Sequence, residues 1–113
     1  VRICGNSATS PGASTVLAAF LADTGMLFDA NFGGSIVKVN TLPKNAYTLT
    51  VNRNGAPIGT LLINTDGTTV LQTVTNSNVQ INAGDIIEIV SPATVDPSIA
   101  GIYFTLIATY SAS

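Results

Sequence analysis

Alternation between apolar and polar positions dominates this chain. In Tyr47-Thr48-Leu49-Thr50-Val51-Asn52, the residues Tyr47, Leu49 and Val51 fall on one side, and Thr48, Thr50 and Asn52 on the other. A period of two marks a strand with one buried face. Near the end of the chain Ile102, Phe104, Leu106, Ala108 and Tyr110 point one way, towards a core. Tyr103, Thr105, Ile107 and Thr109 point the other way. Val79 and Ile81 alternate in the same manner with Asn78, Gln80 and Asn82. Phe20, Phe28 and Phe32 join the expected core.

Turn chemistry separates these runs. Asp66-Gly67 stands between Leu61-Leu62-Ile63 and Thr69-Val70-Leu71. A two-residue Asp-Gly loop, with positive φ at both positions, predicts a hairpin there. Asn54-Gly55-Ala56-Pro57 predicts another, with Pro57 opening a strand or lying on an edge. Ala83-Gly84-Asp85 turns into Ile86-Ile87-Glu88-Ile89-Val90, and Gly33-Gly34 opens Ile36-Val37-Lys38-Val39. The expected strands are 15–23, 26–30, 35–40, 46–53, 58–64, 68–75, 78–82, 85–91 and 99–111. Short strands with a turn signal every 8–12 residues or so indicate an all-β sandwich or barrel. Segment 15–23 also suits a turn or two of helix, because Ala and Leu favour helix. Its shortness and the Thr24-Gly25 that follows favour the strand. Residues 5–14 carry no period, and the expected layout is an extended arm or loop over 1–14 and one domain over 15–113. Pro92 and Pro97 bracket a second irregular loop.

Composition adds what the pattern leaves open. Only 9% of the 113 residues are charged, against about 25% in an ordinary soluble domain, while 46% are hydrophobic. Thr, Ser, Asn and Gly therefore supply the polar cover. Such a surface costs little to desolvate, which suits a subunit packed among other subunits. Four basic and six acidic residues give a net charge of -2. Arg2, Lys38, Lys44 and Arg53 are scattered, so no nucleic-acid partner is expected. The longest apolar run, 16–22, falls short of the roughly 20 residues that cross a bilayer. The first residues lack the apolar stretch of a signal peptide, so no membrane partner and cytoplasmic synthesis are expected.

Candidate chemistry is sparse. There is no histidine, so Ser or Cys nucleophiles lack their usual base. Cys4 is the single cysteine and has no flanking charge to activate it. One Cys without His leaves no transition-metal set, and Asp23, Asp29, Asp66, Asp85, Glu88 and Asp96 are spread out with no calcium-loop spacing. Asp85 and Glu88, three apart along a strand, face opposite ways and make no glycosidase pair. Turn and loop roles account for Asp66, Asp85 and Asp96. No catalytic residue, cofactor or metal is expected. Tyr103 and Ile107 share the outer face of the last strand, which marks them as candidate contacts with another chain. Ser10, Pro11 and Gly12 are the arm residues expected to reach a neighbour.

Segment 47–90 carries a resemblance. Its Asn54-Gly55 hairpin, and the later Val79-Gln80-Ile81-Asn82-Ala83-Gly84-Asp85-Ile86-Ile87 turn into a strand, resemble jelly-roll domains of tailed-bacteriophage structural proteins. The closing strand Tyr103-Phe104-Thr105-Leu106-Ile107-Ala108 fits that pattern too. These turn-level motifs span about the last two-thirds of the chain and are shared with tumour-necrosis-factor-like and collagen-associated trimer heads. The resemblance implies an all-β jelly-roll sandwich of two antiparallel sheets, assembling as a homotrimer or alternatively a homodimer. A small chain of this kind, without shaft or heptads, is most similar to capsid decoration (cement) proteins. It would then bind the major capsid protein on the outside of a virion and bridge neighbouring subunits. The alternative is a receptor- or carbohydrate-binding tip of a tail fibre or spike.

Overall fold

Among the described residues ten strands form, where the alternation predicts nine. In the computed structural model, which describes residues 2–7, 9 and 11–110, they are β1 (Arg2–Ser7), β2 (Val16–Leu21), β3 (Met26–Phe28), β4 (Ile36–Thr41) and β5 (Tyr47–Arg53), then β6 (Ala56–Ile63), β7 (Thr69–Thr73), β8 (Val79–Ile81), β9 (Ile86–Val90) and β10 (Ala100–Tyr110). Short 3-10 turns cover Ala30–Phe32 and Val74–Asn76, and no α-helix occurs among the described residues. The strands make two antiparallel sheets, compatible with a β-sandwich. One has the order β2-β9-β5-β6-β7. The other runs β1-β10-β3-β8, with β4 also paired to β10. The inward residues of both sheets merge in one core that includes Phe28, Leu49, Leu61, Ile87, Ile102 and Leu106.

The period of two holds best in β5, where buried Tyr47, Leu49 and Val51 alternate with half-buried Thr48, Thr50 and Asn52. It also holds along β10 until the end. Ile102, Phe104, Leu106 and Ala108 are buried, but Tyr110 is 71% exposed. Tyr110 has the right parity and pairs with core residue Met26, but it is the last residue of β10 and its side chain stays open to solvent. Phe20 is only half-buried and packs against the rim of the core. Segment 16–21 is the strand β2, not a helix, because its backbone pairs along β9 from Leu21↔Ile86 to Val16↔Val90.

The arm expected over 1–14 is corrected for residues 2–7. These form β1, which runs antiparallel along β10 from Arg2↔Ile107 to Ser7↔Ile102. Its inner face hides the usual signal. Ile3 is buried, but the next inward position is Gly5, where a Cβ would stand 2.4 Å from the Phe104 ring. A strand whose second core residue must be absent for a ring to fit shows no apolar alternation. Beyond it, the Ser14 N–H donates to the Pro92 carbonyl and the Ser91 hydroxyl donates to the Gly12 carbonyl. Residues 12–15 are thereby stitched to the segment that leaves β9.

Two hairpins differ in kind. At Asn54-Gly55 both φ angles are positive, 51° and 85°, and Arg53 pairs with Ala56 across a two-residue loop. Pro57 follows at a register shift, where Val51 pairs with Gly59 and Asn52 with Pro57. Proline is tolerated at such a bulge because no ladder donor is required of it. At Asp66-Gly67 the loop is longer than expected. Only Gly67 has positive φ, and the Asn64 carbonyl accepts from Gly67 N–H while Asn64 N–H donates to Thr68. The Asp66 carboxylate takes the Thr68 N–H and hydroxyl, which stabilises the longer loop over 64–68 between paired Ile63 and Thr69.

Side chains lock the sheets to each other. The Arg53 guanidinium crosses from β5 to donate to the Gln80 carbonyl of β8 at 2.6 Å. Asn31 and Phe32 hold left-handed φ of 55° and 54°. That conformation is costly for a bulky residue. It is offset by reciprocal bonds, Asn31 N–H to Thr73 Oγ1 and Thr73 N–H to Asn31 Oδ1, and by complete burial of the Phe32 ring.

Candidate functional site

The outer faces of the two sheets carry what function the geometry offers. Outward positions of β1, β10 and β4 line up in rows across the sheet. Asn6, Tyr103 and Lys38 form one row, and Cys4, Thr105 and Ile36 the next. Between these rows lies an open groove of about 370 Å³ lined by all six, with Gly5 and Phe104. Tyr103 is 46% exposed and Ile36 is 67% exposed. The Cys4 thiol is exposed and lies 3.7 Å from the Thr105 hydroxyl.

Of the residues singled out from the sequence, Tyr103 lines this groove. Ile107 lies on the same face four positions on, half-buried, with its N–H held by the Ser35 hydroxyl at 2.9 Å. Pro11 is buried and Gly12 is tied to Ser91, so both belong to the stitching near β9 and not to the groove. Ser10 lies outside the described residues. Cys4, Asn6, Ile36 and Lys38 escaped sequence reasoning as groove residues. For Ile36 the signal existed: it shares parity with Lys38, so an outward lysine places it outward too.

The other outer face belongs to β2, β9, β5, β6 and β7. It is broad and covered by Thr48, Thr50, Thr60, Leu62 and Val70, half-buried or exposed. Glu88, flanked in register by Ala19 and Asn52, is its charged member. Among the described side chains, Lys38 and Glu88 are the charges set within the outer faces; the remaining ones sit in turns, loops or, for Arg53, between the sheets.

The other carboxylates bind backbone. Asp85 accepts from the Asn82 N–H and the Asn54 amide, and Asn54 in turn accepts from the Ile86 N–H, which clasps two turns at one end of the molecule. At another loop Asp96 is nearly buried, 7% exposed, and gathers the N–H groups of Ser98, Lys44 and Asn45. The Ser98 hydrogen bond, then those from Asn45 and Lys44, hold the Asp96 carboxyl below its usual value, against the opposing effect of desolvation. Thr68 does the same for Asp66, and Asn82 with Asn54 for Asp85. Burial, then the nearby Asp96 charge, pushes the Tyr47 phenol up, which keeps it neutral. Groups held ionised by backbone donors are poor proton donors near neutrality, so none of these three acids is placed as a general acid. Among the described residues, no three His, Cys, Asp or Glu side chains converge as a metal site would need.

These acids set an acid limit on the fold. Their folded values lie below the ordinary 3.8, so the unfolded chain binds more protons at low pH. Their stabilisation is full well above pH 3.8 and is lost as pH falls through that value towards the lowered folded ones. Urea midpoints measured from pH 7 down to pH 2 are expected to fall in this window. Asp96→Asn should have a lower midpoint at pH 7 and a shallower acid limb than the unaltered protein. An equally steep limb would remove Asp96 from the account.

No family model and no curated protein matches this chain.

Proposed function

We propose that this chain is a structural assembly subunit with a jelly-roll fold: a decoration protein that seats on the outside of a bacteriophage head and bridges major-capsid subunits, as a homotrimer. The jelly-roll reading draws on the strand pairing. β5 and β6 form the innermost hairpin, and β3 with β8, β2 with β9 and β1 with β10 nest around it. A long hairpin rolled up in this order gives the two sheets of a jelly roll.

The observation that carries the assembly reading is the poverty of charge on the outer faces. The outer face of the β2-β9-β5-β6-β7 sheet offers Thr hydroxyls and apolar side chains around one carboxylate, Glu88. Burying such a wall strands few ions, and each stranded ion would cost several kcal/mol. We assign the seating contact to this face. A subunit that binds only the assembled shell stabilises it by its binding free energy, and many copies multiply the effect. The role requires adhesion and no catalytic step, and it places the protein on the virion exterior. The receptor- or carbohydrate-binding alternative draws on the groove beside Tyr103.

Cosedimentation with purified heads of the phage whose genome carries the gene is the test. Saturable binding at a fixed number of copies per head is expected, weakened when Thr50→Lys and Thr60→Lys place charges in the outer face of the β2-β9-β5-β6-β7 sheet. Absence of binding to heads at any stage of maturation overturns the reading.

A further inference from the structure

The groove on the opposite face has a chemistry of its own. Its central row sets an aromatic ring, Tyr103, between an amide, Asn6, and an ammonium, Lys38, all three lining one concavity. Thr105 adds a hydroxyl, and Ile36 adds an apolar wall. A pyranose ring has the complementary make-up: an apolar C–H face that packs on an aromatic ring, and a rim of hydroxyls that pair with amides and hydroxyls. The ammonium adds a preference for a negative group on the same sugar. Lys38 is the cation that lines the groove, and among the described residues no carboxylate lines it to cancel that charge. About 370 Å³ holds one or two sugar rings, at the small end of ordinary ligand sites.

We infer that the groove formed by Asn6, Tyr103 and Lys38 is a binding site for an acidic saccharide, a sugar bearing a carboxylate. The site lies on the sheet opposite the β2-β9-β5-β6-β7 face proposed to seat on a shell, so it goes beyond the assembly role and does not depend on it.

The groove contains its own reporter. The Cys4 thiol lines it and is exposed. Sialyllactose and neutral lactose are the probes, each titrated into the intact protein and followed by calorimetry and by the rate of Cys4 alkylation. Sialyllactose is expected to bind and to slow alkylation, and lactose to bind roughly two- to fivefold more weakly, the worth of one exposed ion pair. Tyr103→Ala should weaken both sugars by roughly three- to tenfold. Lys38→Gln should erase the preference for the acidic sugar, and added salt should do the same. Circular dichroism of each variant checks the fold. Binding of neither sugar, or binding indifferent to Tyr103 and to Cys4 alkylation, overturns the site. Failure of head binding with sugar binding intact leaves this site standing and removes only the assembly reading.

Discussion

Phe28→Ala is expected to lower stability by about 3–5 kcal/mol, the usual cost of removing a fully buried ring. Phe28 has no exposed surface, and its ring meets Phe32 edge-on with centroids 5.3 Å apart and planes at 74°. Its strand β3 is only three residues long and links β10 to β8, Phe28 pairing with Ala108 on one side and Val79 on the other. The ring also supports the strained turn beside it. Burial of Phe32 is what offsets its left-handed backbone, and a cavity under it removes part of that compensation. A domain of this size has about 5–15 kcal/mol in all, so one substitution takes a large share. Urea denaturation should show a lower midpoint with an unchanged slope. Tyr110→Ala is the control: at 71% exposure it should change stability by less than about 0.5 kcal/mol. A loss below 1 kcal/mol for Phe28→Ala would mean that the two sheets do not close over this ring as described.

Gly59→Ala comes second, with an expected cost of about 1–3 kcal/mol, at the upper end of that range. A Cβ on Gly59 would stand 2.5 and 2.6 Å from two atoms of the Phe32 ring and 2.7 Å from the Gln72 carbonyl oxygen. The ring can give a little. The carbonyl cannot, because it belongs to β7, whose ladder with β6 pairs Gly59 with Thr73 and Thr60 with Gln72. The clash therefore pulls at sheet and core together. Gly55→Ala makes an informative comparison. Gly55 has φ of 85° but no atom within 4 Å of a built Cβ, so its cost is conformational alone, about 1–2 kcal/mol. Phe32→Leu placed beside Gly59→Ala should recover part of the loss in a double-mutant cycle, never all of it, since the carbonyl contact stays. Additive losses would show that the Phe32 contact plays no part.

The two substitutions also show where the chain's local signals stop. Phe28 as a core residue was legible from its place in an apolar run. Gly59 was not, because its requirement comes from Phe32, 27 residues earlier, and from a carbonyl on the neighbouring strand. The left-handed backbone at Asn31 is likewise held from far along the chain: its partner Thr73 lies 42 residues on. In the same way β1 was hidden because Gly5 leaves its inner face open to Phe104, 99 positions on. The groove follows this rule. Tyr103 was visible from parity within one strand, while Cys4, Asn6 and Lys38 reach it only through pairing of β1 and β4 with β10.

What the order of residues determined alone was the set of short-range features: alternation that makes β5 and β10 two-faced, the Asn54-Gly55 reversal, the scarcity of charge and the want of a histidine. These depend on neighbours within a few residues, where side-chain direction and backbone preference are properties of the chain itself. The folded molecule decided which strands lie side by side, how long the Asp66-Gly67 loop is, which end of β10 leaves the core and which side chains share a concavity. Those outcomes depend on contacts between residues tens of positions apart, and such contacts exist only once burial of one common core has brought the strands together.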